Sequence, residues 1–410
     1  MLSTLTLEAA CREPWETVII GAGPAGALAA YQLAQLGCRV LLVERKSFPR
    51  GKVCGGCLNG QALALLRSAG LRTVMTEIKG LPLSSFQMRA QGLEAAFDLP
   101  EGLAISRASL DAALVGAAIT AGAEFLAETT AHVEGVRNDQ RSVLLDQRGS
   151  LMHASGSVVL LAGGLACAER ELEMQSVVDP QSRVAAGCLL KEAPADYEGG
   201  TIYMAVGTGG YVGLVRVEDG QLNVAAAFDR DFMRNCGAPG AAAAEILSES
   251  GYREIAGLET TNWHGTVSLT RHLAILASER MLVIGDAAGY IEPFTGEGMA
   301  WALASAQLAV PFVRAGIKTW SLALEKSWQV RLPEVLGHRQ WVCRQLSFGL
   351  RRPWLVRNVM RVLSQFPGLA RPIIQTMNAP LKIPENRQDS SDFPIRCHPS
   401  PVQQSCKART

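Results

Sequence analysis

One stretch constrains the fold more than any other, Thr17 to Arg45, TVIIGAGPAGALAAYQLAQLGCRVLLVER. Val18-Ile19-Ile20 reads as a short buried strand, and Gly21-Ala22-Gly23-Pro24-Ala25-Gly26 runs into an Ala- and Leu-rich helix. Val40 to Val43 makes a second buried strand that ends on Glu44-Arg45. In such a strand–turn–helix–strand unit, Gly21 permits the tight turn and Gly23 lets backbone approach a pyrophosphate. Gly26 lets helix and strand pack closely. The exposed N–H groups and positive dipole at the helix start favour phosphate charge. Glu44, at the tip of the second strand, is placed to accept hydrogen bonds from a ribose diol. The unit reads as a dinucleotide site and leaves open which dinucleotide it holds.

The rest of the chain must be organised around that unit. At 410 residues it is too long for one simple core. Gln61 to Ala69 reads as a short helix, Leu81 to Phe97 as two strands, and Ala108 to Ala121 as a helix closed by Gly122. Ala131–Val136, Ser142–Asp146 and Met152-His153 read as a meander, and Val158 to Ala162 as a separate buried strand. From Ala185 to Val267 the pattern is that of an antiparallel sheet. Glu218 to Gln221 forms a hairpin turn there, and a helix over Ala241–Ser250 lies across the sheet. Met281–Ile284 is one more buried strand, and beyond it the pattern is helical almost to Met377.

Net charge is +1, which gives no case for nucleic acid. The distribution is uneven, because Arg314 to Arg371 holds eleven Lys/Arg against Glu325 and Glu334. With Trp320, Trp328, Trp341 and Trp354 interleaved, that segment admits two readings. One is a helical cap with solvated arginines. The other is an interfacial surface that meets anionic lipid, a diphosphate or an acyl-carrier protein. The ten cysteines are scattered and form no disulfide framework, which points to a reducing, cytoplasmic setting, peripheral to a membrane if the interfacial reading holds. The start, MLSTLTLEAACREPWE, lacks a basic segment followed by an apolar core, so no signal peptide is expected. No long uncharged apolar run suggests a membrane span.

GAGPAG with Glu44-Arg45, Arg107 followed by LDAAL, and Gly285-Asp286 with GYIEPFTGEGMAWAL occur in an order that resembles one superfamily. These are the FAD-dependent enzymes that include aromatic hydroxylases, geranylgeranyl reductases and flavin halogenases. The resemblance covers about residues 15 to 315. It implies a mixed α/β fold: a Rossmann-like FAD-binding domain with a parallel sheet, an inserted antiparallel-sheet substrate domain, and a C-terminal helical segment. The FAD-binding domain would take 1–80, 101–184 and 270–315, the substrate domain 81–100 and 185–269, and a helical cap 316–380. The polar, Pro-rich 381–410 would be a disordered tail.

Carried over by residue, the resemblance places Gly21, Gly23, Pro24, Ala25 and Gly26 at the pyrophosphate and Glu44 and Arg45 at the adenosine ribose. Arg107 would contact the cofactor, and Asp286, after Gly285, the ribityl chain. Pro293, Gly296, Gly298 and Met299 match the loop and helix start beside the isoalloxazine ring. In many hydroxylases of the superfamily an Asp-Gly pair follows the strand at 158–162; here Gly163-Gly164 stands in its place. FAD binding survives that change, whereas direct use of NAD(P)H as electron donor does not follow, and another donor stays open.

Phe48 to Asn59, FPRGKVCGGCLN, resembles a loop of geranylgeranyl reductases that lies near the flavin. That makes Cys54 and Asn59, with Lys52, active-site candidates. Cys54-Gly-Gly-Cys57 has the spacing of a redox or metal pair, but no further ligands complete a zinc set. Two readings remain, a dithiol exchanging electrons and cysteines that line a pocket. Lys79 reads as a solvated surface lysine, and His264 as a structural histidine near a pocket wall. The leading functional reading is a reductase of geranylgeranyl type, moving hydride between flavin and a carbon–carbon bond of a long apolar substrate. A monooxygenase or halogenase acting on an aromatic or polyketide is the alternative within the enzyme class. A non-catalytic FAD-binding module is the alternative outside it.

Overall fold

The computed structural model describes residues 1–165, 167, 176–292 and 294–381. Pro293 and the tail beyond 381 therefore lie outside the described residues. Five parallel strands form the centre of one sheet, in the order Met281–Val283, Ser150–Leu161, Trp15–Ile20, Val40–Val43 and Glu124–Leu126. Their residues are apolar in succession, as strands covered on both faces must be. Val18, Ile19, Leu41, Leu42, Val159 and Leu160 are all buried. The helix Pro24–Gln35 packs between this sheet and the helices Arg107–Thr120 and Gly298–Lys318. Its Ala-rich faces allow close approach on every side, and Ala27, Leu28, Ala29, Ala30 and Leu33 have no exposed surface.

The meander differs from the sequence expectation in one respect. Met152-His153 and Val158–Ala162 belong to one strand, Ser150–Leu161. Its first half pairs antiparallel with Gln140–Gln147, and its second half pairs parallel with Trp15–Ile20. Polar residues in the first half and apolar ones in the second mark a change of environment rather than a break.

The second sheet has seven strands, ordered His264–Ser268, Val184–Leu190, Leu222–Phe228, Gly210–Arg216, Thr201–Gly207, Ser85–Ala90 and Leu93–Asp98. Every pair is antiparallel except Thr201–Gly207 with Ser85–Ala90. That hairpin comes from a distant part of the chain, so a tight turn does not dictate its direction. Side chains alternate across the sheet. Ala205, Val212, Val224 and Ala226 meet the helix Pro239–Glu249 on one face. Met204, Val206, Tyr211 and Ala227 point to the opposite face. Parallel and antiparallel layers with a helical C-terminus make a mixed α/β fold.

Four elements close the chain: Gly298–Lys318, Leu322–Leu350, Pro353–Gln365 and Arg371–Asn378. The first is long and apolar enough to cross a membrane by composition, but most of it is buried inside the fold. The four tryptophans divide. Trp328 is fully buried and its Nε1–H donates to the Val283 carbonyl at 3.3 Å, while Trp320 donates to Glu325 at 2.7 Å. Trp341 and Trp354 are exposed. Lys79 and His264 are also exposed, which places the histidine ring in solvent rather than in a pocket wall.

Candidate active site

The glycine turn is built as its spacing requires. Gly21 has φ +103°, and a Cβ there would stand 2.6 Å from the Ala162 carbonyl oxygen. A Cβ on Gly26 would come within 1.9 Å of the Gly21 oxygen, far inside contact distance. Gly23 is different: the nearest atoms to its would-be Cβ are Arg107 Nη2 at 3.7 Å and Arg50 Nη2 at 3.8 Å. Two guanidinium groups therefore face the turn at the start of the Pro24–Gln35 helix.

Those arginines are held by one carboxylate. Asp111, without exposed surface, accepts from Arg107 Nε and Nη2 at 2.8 Å each and lies 3.2 Å from Arg50 Nη1. Burial works against the charge on Arg107, and Asp111 more than offsets it, so the guanidinium stays protonated. Arg50 also pairs with Glu44 at 3.2 Å. Glu44 accepts from the Ala22 and Lys46 N–H groups at 3.1 Å. A carboxylate has about four acceptor sites, which leaves it room for a hydroxyl. Glu44 and Arg45 border a hollow floored by Gly21 and Gly163 and walled by Thr130 to His132.

Across the turn, Gly285 has φ +64°, and its Cβ would stand 2.9 Å from Ala25 Cβ. Its N–H donates to Ser305 Oγ at 2.8 Å. Asp286 Oδ2 lies 3.3 Å from Lys52 Nζ, so the ion pair bridges the two motifs. Gly296 has φ +73° and opens into free space, and Gly298 starts the long helix against the Tyr290 hydroxyl. Met299 is buried in the first turn. No side chain caps that helix, which leaves its first N–H groups and positive dipole unneutralised.

A main cleft of about 1720 Å³, part of it open to solvent, joins these pieces. The glycine turn, Arg107 and Asp286 form one wall, and Met204, Tyr211, Gly213 and Ala227 of the seven-stranded sheet form the other. Lys52 to Asn59 runs along it. Burial drives the phenols of Tyr211 and Tyr290 well above their ordinary value, so both stay neutral. Burial and the neighbouring Cys54 likewise push the Cys57 thiol up, and its Sγ–H donates to the Gly55 carbonyl at 3.3 Å. A thiol held protonated is a poor partner for thiol–disulfide exchange. Cys54 also lines the cleft, together with Arg107 and Tyr290.

Asn59 has a structural task. Its Oδ1 accepts from the Ala62 N–H at 2.9 Å as the N-cap of Gly60–Ser68, and its Nδ2 donates to the Met377 carbonyl at 3.3 Å. The Gly60 N–H donates to Asn378 Oδ1 at 2.9 Å. Arg339, buried, donates to the Met377 and Ala379 carbonyls and pairs with Glu297 at 2.9 Å. Burial outweighs Arg339 and raises the Glu297 carboxyl. Residues 377–379 are thereby strapped over one end of the cleft.

Gly163-Gly164 is fitted to its surroundings. A Cβ at 163 would meet Cys167 Sγ at 2.5 Å, and Gly164, at φ +78°, has Lys52 Nζ at 3.2 Å from the same point. An acidic side chain at 163 has no room here.

Sequence patterns missed Arg50, Asp111 and the Arg339–Glu297 pair. Arg50 was visible in FPRGK as a basic residue, but its approach to Glu44 and Asp111 depends on how the loop folds back. Asp111 was visible only as the acid in LDAAL, four residues after Arg107 and so on the same helix face.

The residues present fit FAD. A Cβ at Gly26 would collide with the turn that forms the pyrophosphate cradle, two guanidiniums face that turn at Gly23, and the buried Nε of Arg50 has no hydrogen-bond partner. Residues 15–151 match the FAD binding domain family. The chain is 24% identical over 332 residues to conditioned medium factor receptor 1 of Dictyostelium discoideum, covering 72% of this chain but only 62% of that protein. It is 24% identical over 375 residues to menaquinone reductase of Mycobacterium tuberculosis, covering 82% and 84% of the two chains. To the digeranylgeranylglycerophospholipid reductase of Methanospirillum hungatei it is 25% identical over 314 residues, covering 73% and 75%.

Solved structures that share the fold include a dehydrogenase and a halogenase. A flavoprotein/dehydrogenase from Cytophaga hutchinsonii superposes with TM-score 0.71 at 16% identity, over 90% of this chain and 96% of that one. A flavin-dependent halogenase does so with TM-score 0.67 at 21% identity, over 79% and 62%. Fold and site together define an FAD-dependent oxidoreductase. Residues 15–151 thus carry an FAD binding domain, the chain is similar to reductases over most of its length, and flavin halogenases share its fold.

Proposed function

We propose that the protein reduces a carbon–carbon double bond in a long apolar substrate of isoprenoid type, or runs the reverse reaction. The observation that carries this reading is the cleft. Its sheet wall is Met204, Gly213, Ala225 and Ala227, with Leu83, Leu99 and Ile202 beyond, a surface that offers apolar contact and few hydrogen bonds. Two relatives are named for reductions of molecules that carry isoprenoid chains, menaquinone and a digeranylgeranyl lipid.

FAD, when bound, supplies or accepts the hydride. Gly21, Gly23, Pro24, Ala25 and Gly26 with Arg50 and Arg107 hold its pyrophosphate, and Glu44 and Arg45 its adenosine end. Gly285 and Asp286 would hold the ribityl chain, and Gly296, Gly298 and Met299 would border the ring. Cys54 holds the proton at Sγ and gives it to the carbon that does not take hydride. Asn59 positions this loop by tying its helix cap to the 377–379 strap. The electron donor, NAD(P)H or another, is not specified by these residues. A substrate of this kind reaches the cleft from a membrane surface or a carrier protein, and the basic C-terminal helices are the part of the molecule suited to meet either.

The test is product mass. FAD-loaded protein is reduced without oxygen and offered a geranylgeranyl lipid and menaquinone. A product heavier by two hydrogens supports the reading. A product that gains an oxygen or a halogen from an aromatic substrate supports the second reading, a monooxygenase or halogenase, which rests on likeness of fold.

A further inference from the structure

From Val335 to Pro384 the sequence contains no Asp or Glu, while Arg339, Arg344, Arg351, Arg352, Arg357, Arg361 and Arg371 fall within it. Two of these arginines are spent on the fold. Arg339 is buried against Glu297, and Arg351 pairs with Asp229. Arg344, Arg357, Arg361 and Arg371 are exposed. Among them stand large apolar side chains that are more than a third exposed, with Arg352 lying over the Phe348 ring. Trp354 is 64% exposed and Phe366 61%, and Trp341, Phe348, Leu369 and Ile373 are exposed too.

The helix Pro353–Gln365 explains how this surface arises. Its apolar arc is wider than the hairpin Ser85–Asp98 beneath it can bury. Val356 and Met360 go inward, and Val359 and Val362 on the adjoining arc remain outside. Arg357 and Arg361 occupy another side of the helix. The helix Arg371–Asn378 repeats the division, with Met377 buried in the cleft wall and Ile373 exposed. An aromatic and apolar ridge flanked by arginines, on helices lying along the surface, is the chemistry of the lipid–water interface.

We infer that residues 341–373 form a docking surface for an anionic phospholipid membrane, with the cleft end at Met377-Asn378 beside it. A second copy of this chain is a poor occupant, because it would set the same acid-free arginines against each other. An anionic bilayer supplies both things the surface lacks, negative charge for the arginines and an apolar layer for Trp354 and Phe366. The use of such a surface rests on the proposed function, since a membrane is where an isoprenoid substrate resides. Binding itself is read without substrate, so either can fail alone.

The experiment is flotation of the FAD-loaded full chain with vesicles of phosphatidylcholine alone and of equal parts phosphatidylcholine and phosphatidylglycerol. The protein is expected to float with the anionic vesicles, to stay behind with the neutral ones, and to be released by high salt. Arg357→Gln with Arg361→Gln should weaken partitioning on the order of 10-fold or more. Trp354→Ser with Phe366→Ser should abolish flotation while the flavin absorbance is retained, which shows that the fold is intact. Equal binding to neutral vesicles would overturn the inference, as would variants that float like the parent. Two further results would do the same: a solution dimer that the Trp354→Ser, Phe366→Ser variant splits, and capture by an acidic carrier protein without vesicle binding.

Discussion

The two walls of the cleft are built on opposite terms. On the glycine-turn side, charged groups are paired with one another: Arg107 and Arg50 share Asp111, Arg50 reaches Glu44, and Lys52 meets Asp286. On the sheet side, Met204, Gly213 and Ala227 present carbon. The first wall has fixed geometry and admits one class of ligand, because each charge is positioned by another. The second can change a side chain without leaving a charge unpaired. One fold can therefore keep a cofactor and vary its substrate.

Five substitutions test that contrast, beginning with the largest effect. Gly26→Val on the polar wall should give colourless protein, since its Cβ would lie 1.9 Å from the Gly21 oxygen. Flavin absorbance after purification, with circular dichroism to follow the fold, checks this. Retention of bound FAD by that variant would break the account of the cradle.

Cys54→Ala should lower kcat by about 100-fold or more if its thiol delivers the proton, with FAD content unchanged. Cys57→Ala, whose thiol burial keeps protonated, should leave kcat within about 2-fold because no proton is drawn from it. Steady-state kinetics on the pair separates the two cysteines, and equal losses would contradict their division. Met204→Trp on the apolar wall should raise KM by about 10-fold, a methionine-to-indole change costing about 1–3 kcal/mol of packing, while FAD binding is retained. A loss of flavin here would show that the two walls are not independent.

The smallest effect concerns Glu218, which joins the walls. Its carboxylate accepts from the Ser106 N–H at 2.9 Å and from Ser109 Oγ at 2.5 Å, at the cap of the helix that begins with Arg107. Burial opposes the charge, but these hydrogen bonds prevail and hold the carboxyl below its ordinary value. The stabilisation is therefore present above the unfolded-state pKa and is lost as pH falls through the lower folded value. Glu218→Gln should cost about 1–2 kcal/mol near neutral pH, and the gap to the parent should close on acidification. Thermal unfolding across pH checks it, and a gap that widens in acid would contradict the sign.

The same contrast accounts for what was legible in the sequence. Gly21, Gly26 and Glu44 could be placed because a turn, a close approach and a strand tip each demand a residue type at a fixed spacing, whereas Asp286 was suggested only by the family resemblance. The apolar strands and glycine-ended helices were legible from pattern, and their assembly into a mixed fold was implied by the family resemblance. Arg50, Glu218 and the Arg339–Glu297 pair were not, because their partners are brought close by tertiary folding, and spacing carries no record of it. Trp328 and Trp354 look alike as residues in a basic helical segment. Packing against Phe312 and a hydrogen bond to Val283 accompany the burial of one, and the limited width of the hairpin leaves the other exposed.

The reaction proposed for this FAD-dependent oxidoreductase is reduction of a carbon–carbon double bond in a long apolar chain. The most direct measurement is the mass of the product formed when FAD-loaded, chemically reduced protein meets a geranylgeranyl lipid without oxygen. A gain of two hydrogens per turnover is the predicted result. An unchanged lipid, together with oxygen or halogen incorporation into an aromatic substrate once oxygen is admitted, would contradict it.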